Sequence, residues 1–154
     1  MIVTAPAAVP TLYLQPGEIA AGDGCHILTI LGSCVAVCLV DRARGVGAMN
    51  HYLLPRGPRA GGSARFGDVA LPRLVDEVLA RGATREGLEA KVFGGARVLA
   101  RTTATRDLGF ENVQIAIDFL SAERIPVVAR NTGGDRGRKL IFQTSDGVVW
   151  VKTF

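Results

Sequence analysis

The stretch from His26 to Leu54, HILTILGSCVAVCLVDRARGVGAMNHYLL, decides the fold class. HILTIL and CVAVCLV read as two buried or half-buried strands, and Asp41 to Gly45 supplies the turn into a third, VGAMNHYLL, which ends at Pro55. These strands open the chain's regular structure without a helix between them.

Working outward, Arg56 to Gly67 is rich in Gly, Pro and Arg without periodicity and reads as a mobile surface loop. Beyond it the period changes. Leu71, Leu74, Val75, Val78 and Leu79 follow helical spacing, with Asp68 as the expected N-cap, Pro72 near the first turn and Gly82 as the stop. Glu89 to Phe93 reads as a strand running into Gly94-Gly95, with a brief helix expected at Ala96 to Thr102. Val113, Ala116, Ile117 and Leu120 mark a second amphipathic helix, stopped by Ile125-Pro126. IPVVARN and then LIFQTS and VVWVKTF complete the strands, the last two joined by Asp146-Gly147 as a type I′ hairpin. Strands gather at both ends with helices between, so the reading is α+β in a single domain, 1–154, with no repeat and no linker.

Composition narrows the function class. A chain of 154 residues that is 48% apolar has room for one core. The uncharged run Gly24 to Val40 is broken by polar residues and falls short of the ~18 to 20 apolar residues that span a bilayer. No transmembrane helix or secretory signal is expected, and the cytoplasm is the default location. The net charge of +4 comes from scattered arginines, and aromatics at 6% are not interleaved with them, which argues against a nucleic-acid platform. A mild positive field favours an acidic protein partner. Gly94-Gly95 and Gly133-Gly134 lack the spacing of a phosphate cradle and read as tight turns.

Reactive side chains concentrate at Cys34, Cys38 and His51, with Cys25 and His26 upstream. Three cysteines within a short span suit reduced thiols better than a disulfide framework. A shared zinc is disfavoured: Cys34 and Cys38 on one strand would stand roughly 13 Å apart, and zinc-bound sulfurs lie within about 5 Å. Nucleophilic catalysis fits better. Cys34 follows Gly32-Ser33 at the start of a buried strand, His51 lies on the next strand, and antiparallel pairing brings the two together. Backbone N–H groups around Gly32 to Cys34 would form an oxyanion hole. The bland alternative is a buried cysteine acting as a small hydrophobe beside a structural histidine, and chemistry alone favours it. Cys38 fits that alternative best, and Cys25 sits in an exposed Gly-Asp-Gly turn.

LGSCVAVCLVD, GAMNHYLLP, AKVFGGA and GGDRGRK occur in this order before a final apolar hairpin. Together they resemble the CheD family of chemoreceptor glutamine deamidases. The resemblance runs from about Ile27 to Phe154 and covers residues 1–25 weakly; GSC followed by His after 17 positions is its most specific element. It implies a cysteine hydrolase with a three-layer β/β/α fold, similar to the deamidase domain of cytotoxic necrotizing factors. In the matching positions Cys34 is the nucleophile, His51 the base and Thr29 the third catalytic residue, with no metal and no organic cofactor. The family often carries an aspartate where Asn131 or Thr132 stands here, a departure at a supporting position. The implied partners are chemoreceptor cytoplasmic domains, recognised as acidic helices within reach of Arg56, Arg59 and Arg65. The competing class is a binding module, an adaptor for a CheC-type phosphatase.

Overall fold

The computed structural model of the chain describes residues 9–58, 62–97 and 106–154. Its elements run β1 (Thr11–Tyr13), β2 (Ile19–Gly22), β3 (His26–Leu31), β4 (Val35–Asp41), β5 (Val46–Asn50), α1 (Gly67–Ala80), β6 (Leu88–Gly94), α2 (Leu108–Ala122), β7 (Val127–Thr132), β8 (Arg138–Gln143) and β9 (Val149–Thr153). One sheet has the order β1, β3, β8, β9, and the larger one β2, β5, β4, β6, β7.

β4 explains why the layers form. All seven of its residues are buried, so it needs cover on both faces. Val35, Val37 and Leu39 pack with Leu71, Leu74 and Val78 of α1 and with Ala116 and Leu120 of α2. Ala36, Cys38 and Val40 face the other way, onto Leu31, Leu140 and Phe142 of the smaller sheet. The result is the expected three-layer β/β/α arrangement, with two separate cores on either side of one sheet. β3 alternates accordingly: Ile27, Thr29 and Leu31 point inward and are buried, while Ile30 is exposed.

Several local expectations are corrected. β1 and β2 precede the first strand read from the sequence; β1 joins β3 in parallel and β2 joins β5 antiparallel. α1 begins one residue before Asp68, and its N-cap is Phe66, whose side chain makes no capping bond. Asp68 instead stands in the first turn, where its charge opposes the helix dipole. Pro72 falls in the second turn, and the Asp68 carbonyl it leaves unbonded belongs to an exposed residue. Gly82 follows the C-cap Arg81 at φ +109, as a stop residue should. The last hairpin is not a two-residue turn: Gln143 and Val149 bound a longer loop, closed by Gln143 N–H to the Val148 carbonyl at 2.8 Å. Type I′ needs positive φ at both central residues, and of the pair Asp146-Gly147 only Gly147 has it. The brief helix expected at 96–102 lies largely outside the described residues.

Candidate functional site

Cys34 and His51 meet through the pairing of β4 with β5. Cys38 pairs with Met49, and Val35 bridges Tyr52 just past the strand end, exchanging two backbone hydrogen bonds of 3.0 and 3.1 Å. That register puts His51 across from Ala36, on the same inter-sheet face as Cys34 and one diagonal step from it. Asn50 fastens the strand end: its Oδ1 accepts from the Val37 N–H at 2.8 Å, and its Nδ2 donates to the Ala70 carbonyl in α1 at 3.2 Å.

Thr29 comes from the other sheet. Its hydroxyl lies 2.9 Å from the Leu14 carbonyl and 2.7 Å from Nδ1 of His51. A carbonyl only accepts, so the single hydroxyl proton goes to Leu14 and Thr29 Oγ1 accepts from His51 Nδ1–H. The proton on Nδ1 leaves Nε2 with a lone pair, and Nε2 is a buried atom without a hydrogen-bond partner among the described residues. Burial lowers the His51 pKa from its ordinary 6.5 to about 4. The imidazole is therefore neutral at neutral pH and oriented as a base.

Cys34 is half-buried, whereas Cys38 is fully buried in the inter-sheet core. Burial pushes the Cys34 thiol up, and its own backbone N–H, directed at the sulfur, opposes that rise. Cys38 is pushed far higher by burial, with Lys91 opposing weakly, which leaves it a core filler. Cys25 packs at the edge of the same core beside Thr144 and Gly22, which pairs with Gly47 at the opposite end of β5 from His51.

The Gly32-Ser33-Cys34 turn is held from several directions that composition did not reveal. Gly95 N–H donates to the Cys34 carbonyl at 2.9 Å, and Ala96 N–H to that of Gly32 at 3.0 Å. Asn112 of α2, wholly buried, donates from Nδ2 to the Ser33 carbonyl at 3.0 Å and to the Leu53 carbonyl at 2.8 Å. Tyr52 Oη donates to the Asn112 carbonyl at 2.5 Å. Arg138, in the GGDRGRK motif, is a buried cation whose guanidinium reaches Asn131 Oδ1, the Gly133 carbonyl and the Gly94 carbonyl. It ties the ends of β6 and β7 to β8. The glycine pairs serve as turns: Gly94, Gly95, Gly133 and Gly134 all have positive φ.

A cleft of about 270 Å³ between α2 and the ends of β6 and β7 is lined by Gly95, Arg97, Asp107, Phe110, Arg130 and Gly134 among others; Cys34, His51 and Thr29 do not line it, and its link to the turn is Gly95, whose N–H bonds the Cys34 carbonyl. Of the three loop arginines, Arg59 lies outside the described residues. Arg56 and Arg65 are exposed, but residues 62–66 are not free: Leu53 and Leu54 N–H groups both donate to the Arg65 carbonyl, and Phe66 bridges Leu54. Among the described residues no three His, Cys, Asp or Glu side chains are grouped as metal ligands would be.

The chain matches the CheD family model, described as CheD chemotactic sensory transduction, over residues 53–153. It is 54% identical over 142 residues to a probable chemoreceptor glutamine deamidase CheD 1 of Anaeromyxobacter dehalogenans, covering 92% of this chain and 83% of that one. Probable chemoreceptor glutamine deamidases CheD of Rhodospirillum rubrum (44% identical, 95% of this chain, 84% of that one) and Trichlorobacter lovleyi (45%, 89% and 86%) are similar throughout. Among solved structures, a Neisseria meningitidis protein of the DUF152 family model superposes with a TM-score of 0.53 at 15% identity, covering 90% of this chain and 76% of that one. That likeness concerns the fold. The family model begins just past His51, so the relatives, which span nine-tenths of the chain, are what carry the comparison across Cys34 and His51.

Proposed function

The chain belongs to the CheD family, and on that premise we propose that it is a chemoreceptor glutamine deamidase in which Cys34, His51 and Thr29 are the catalytic residues. One observation carries the assignment: Thr29 Oγ1 accepts the hydrogen bond from His51 Nδ1–H, so that the free Nε2 belongs to a neutral base on the same face as Cys34. A merely structural histidine would spend both nitrogens on partners.

In this mechanism Cys34 transfers its thiol proton to His51 Nε2 as the sulfur attacks the side-chain amide carbon of a receptor glutamine. The amide π electrons move onto oxygen, and backbone N–H groups of the turn stabilise that charge. When the carbonyl re-forms, the C–N bond breaks; His51 returns its proton to the departing nitrogen, and ammonia leaves a γ-glutamyl thioester. Water then gives a proton to His51 and its oxygen to the thioester carbon. The second tetrahedral adduct expels the Cys34 sulfur, which recovers the proton from His51, and the product is glutamate. No redox partner or organic cofactor enters this balance.

A glutamine on a folded helix offers contacts well beyond the reacting amide, and binding energy from them orients it. The exposed Arg56 and Arg65, just past the strand end that carries His51, suit an acidic helix, and Arg97 and Arg130 add positive charge in the cleft next to α2. No helix among the described residues is long and apolar enough to cross a membrane; the proposed site of action is the cytoplasm, at receptor cytoplasmic domains. A CheC-type phosphatase is the second proposed partner, testable by co-purification. The principal experiment incubates the protein with a receptor cytoplasmic fragment and follows ammonia together with the peptide mass change of glutamine to glutamate. Turnover that Cys34→Ala abolishes is expected; turnover unchanged in Cys34→Ala would overturn the assignment.

A further inference from the structure

Asn112 stands in the helix layer, on the opposite side of the larger sheet from the site, yet its side chain holds two carbonyls that flank it. Both partners are carbonyls, so Nδ2 must face them and both of its hydrogens are spent. Asn112 therefore has no donor left for a substrate, and the contacts its amide makes reach the site through the backbone; its Oδ1 is buried with no hydrogen-bond partner among the described residues.

That influence follows from peptide geometry. The Ser33 carbonyl and the Cys34 N–H belong to one planar trans peptide and point in opposite directions. Fixing the carbonyl toward α2 turns the N–H the other way, into the space between the sheets where the Cys34 sulfur lies. The Cys34 N–H accordingly donates to no other backbone carbonyl among the described residues. The second hydrogen, on the Leu53 carbonyl, ties down the segment two residues past His51. One amide thus anchors the nucleophile's peptide and the base's strand end to the same point. Tyr52, between His51 and Leu53, anchors the Asn112 carbonyl in return.

We propose that Asn112 is a positioning residue for the deamidation: by holding the Ser33 and Leu53 carbonyls it aims the Cys34 N–H at the oxyanion and fixes the spacing of Cys34 from His51. This rests on the functional reading above, and its test is separable from it. The nearly isosteric Asn112→Asp loses both donors and sets a carboxylate against two carbonyls; Asn112→Ala loses them with a smaller side chain. In each, kcat on a receptor fragment is expected to fall about 10- to 100-fold with KM within about two-fold, the pattern of an interaction made in the transition state. The pH profile of Cys34 alkylation by iodoacetamide is expected to move to higher pH, because the N–H no longer faces the sulfur.

Leu120→Ala, a cavity in the same helix away from the turn, controls for simple loosening: an equal loss of kcat and an equal alkylation shift there would overturn the proposal. Unchanged kinetics and alkylation in folded Asn112→Asp would overturn it as well. A measurement on the wild type needs no variant to fold. Hydrogen exchange at the Asn112 side-chain amide should lag well behind that at exposed Gln15, and matching rates would refute the two-carbonyl clamp. If the wild type fails to deamidate the receptor fragment, the functional reading falls, while the alkylation shift and the exchange rate still decide the role of Asn112.

Discussion

A side chain on Gly94 would collide with the carbonyl oxygen of Cys34, and Gly94 holds φ +106. The end of β6 and the nucleophile's turn are thus packed backbone to backbone, and Gly95 adds its N–H to the same carbonyl.

Gly94→Ala should displace that turn, lowering both stability and turnover. Gly134 provides the contrast, since it also has positive φ (+73) but nothing within 4 Å of an added Cβ. Gly134→Ala is expected to cost about 1 to 2 kcal/mol from the left-handed backbone alone, with kcat nearly intact. Urea unfolding and receptor-fragment kinetics on the two variants check the difference; equal kcat in both would contradict the packing account.

Thr29→Val keeps the shape of Thr29 and removes its hydroxyl, leaving His51 Nδ1 without its partner. The rate should drop about 10-fold or more, though less than for His51→Ala, where lost acid–base catalysis is worth ~10²-fold or more. Thr29→Ser retains the oxygen and should recover most of the activity. Loss of equal size in Thr29→Ser would indicate that the methyl packing, not the hydroxyl, matters.

Because His51 stays neutral down to about pH 4, kcat/KM should hold nearly level on acidification until close to that value. A fall centred on the ordinary histidine range would disagree. The same shift acts on stability. Between the ordinary 6.5 and about 4 the unfolded chain binds the proton and the folded one does not, so the His51 contribution is full above that window and is lost as pH falls through it. Urea midpoints across this range should decline more steeply in the wild type than in His51→Gln. On the alkaline side, alkylation of Cys34 should keep rising beyond the pH where an exposed thiol levels off, because burial raises its pKa.

Cys34→Ala should abolish ammonia release, while Cys25→Ala and Cys38→Ala retain it. Cys38→Ala opens space in the inter-sheet core and is expected to cost about 1 to 3 kcal/mol. A loss of activity confined to Cys38→Ala, with a normal melting temperature, would move the nucleophile.

Replacing Arg56, Arg59 and Arg65 together by alanine should raise KM for a receptor fragment more than it lowers kcat, an effect that shrinks at high salt. Free glutamine should remain a poor substrate throughout. Unchanged kinetics in the triple variant would return these arginines to plain solvation.

The α+β class, the strand segments around the site and the approach of Cys34 to His51 were legible because HILTIL, CVAVCLV and VGAMNHYLL read as adjacent buried strands, while the three-layer arrangement came through the family resemblance. Thr29 was legible through family resemblance, and its inward orientation follows from the two-residue period of β3. The N-terminal strands were not, since TLY is exposed throughout, IAAG is only half-buried before its last residue, and both are too short to carry a periodic signal. Asn112 sits among the apolar positions of an ordinary amphipathic helix, where one amide gives no pattern; only the fold brings Ser33 and Leu53 to it. The last turn was misread because Asp146-Gly147 is a strong local signal overridden by the longer closure between Gln143 and Val148.

Thr29 belongs to the smaller sheet, whereas Cys34 and His51 directly adjoin the ends of β4 and β5 in the larger, and the hydrogen bond that sets the histidine's proton crosses the seam between the sheets. A slight slip of one sheet over the other lengthens that bond before any strand is lost. Turnover is therefore a gauge of how tightly the sandwich is closed: in graded urea or under pressure, activity should fade while the circular dichroism of the sheets is still intact.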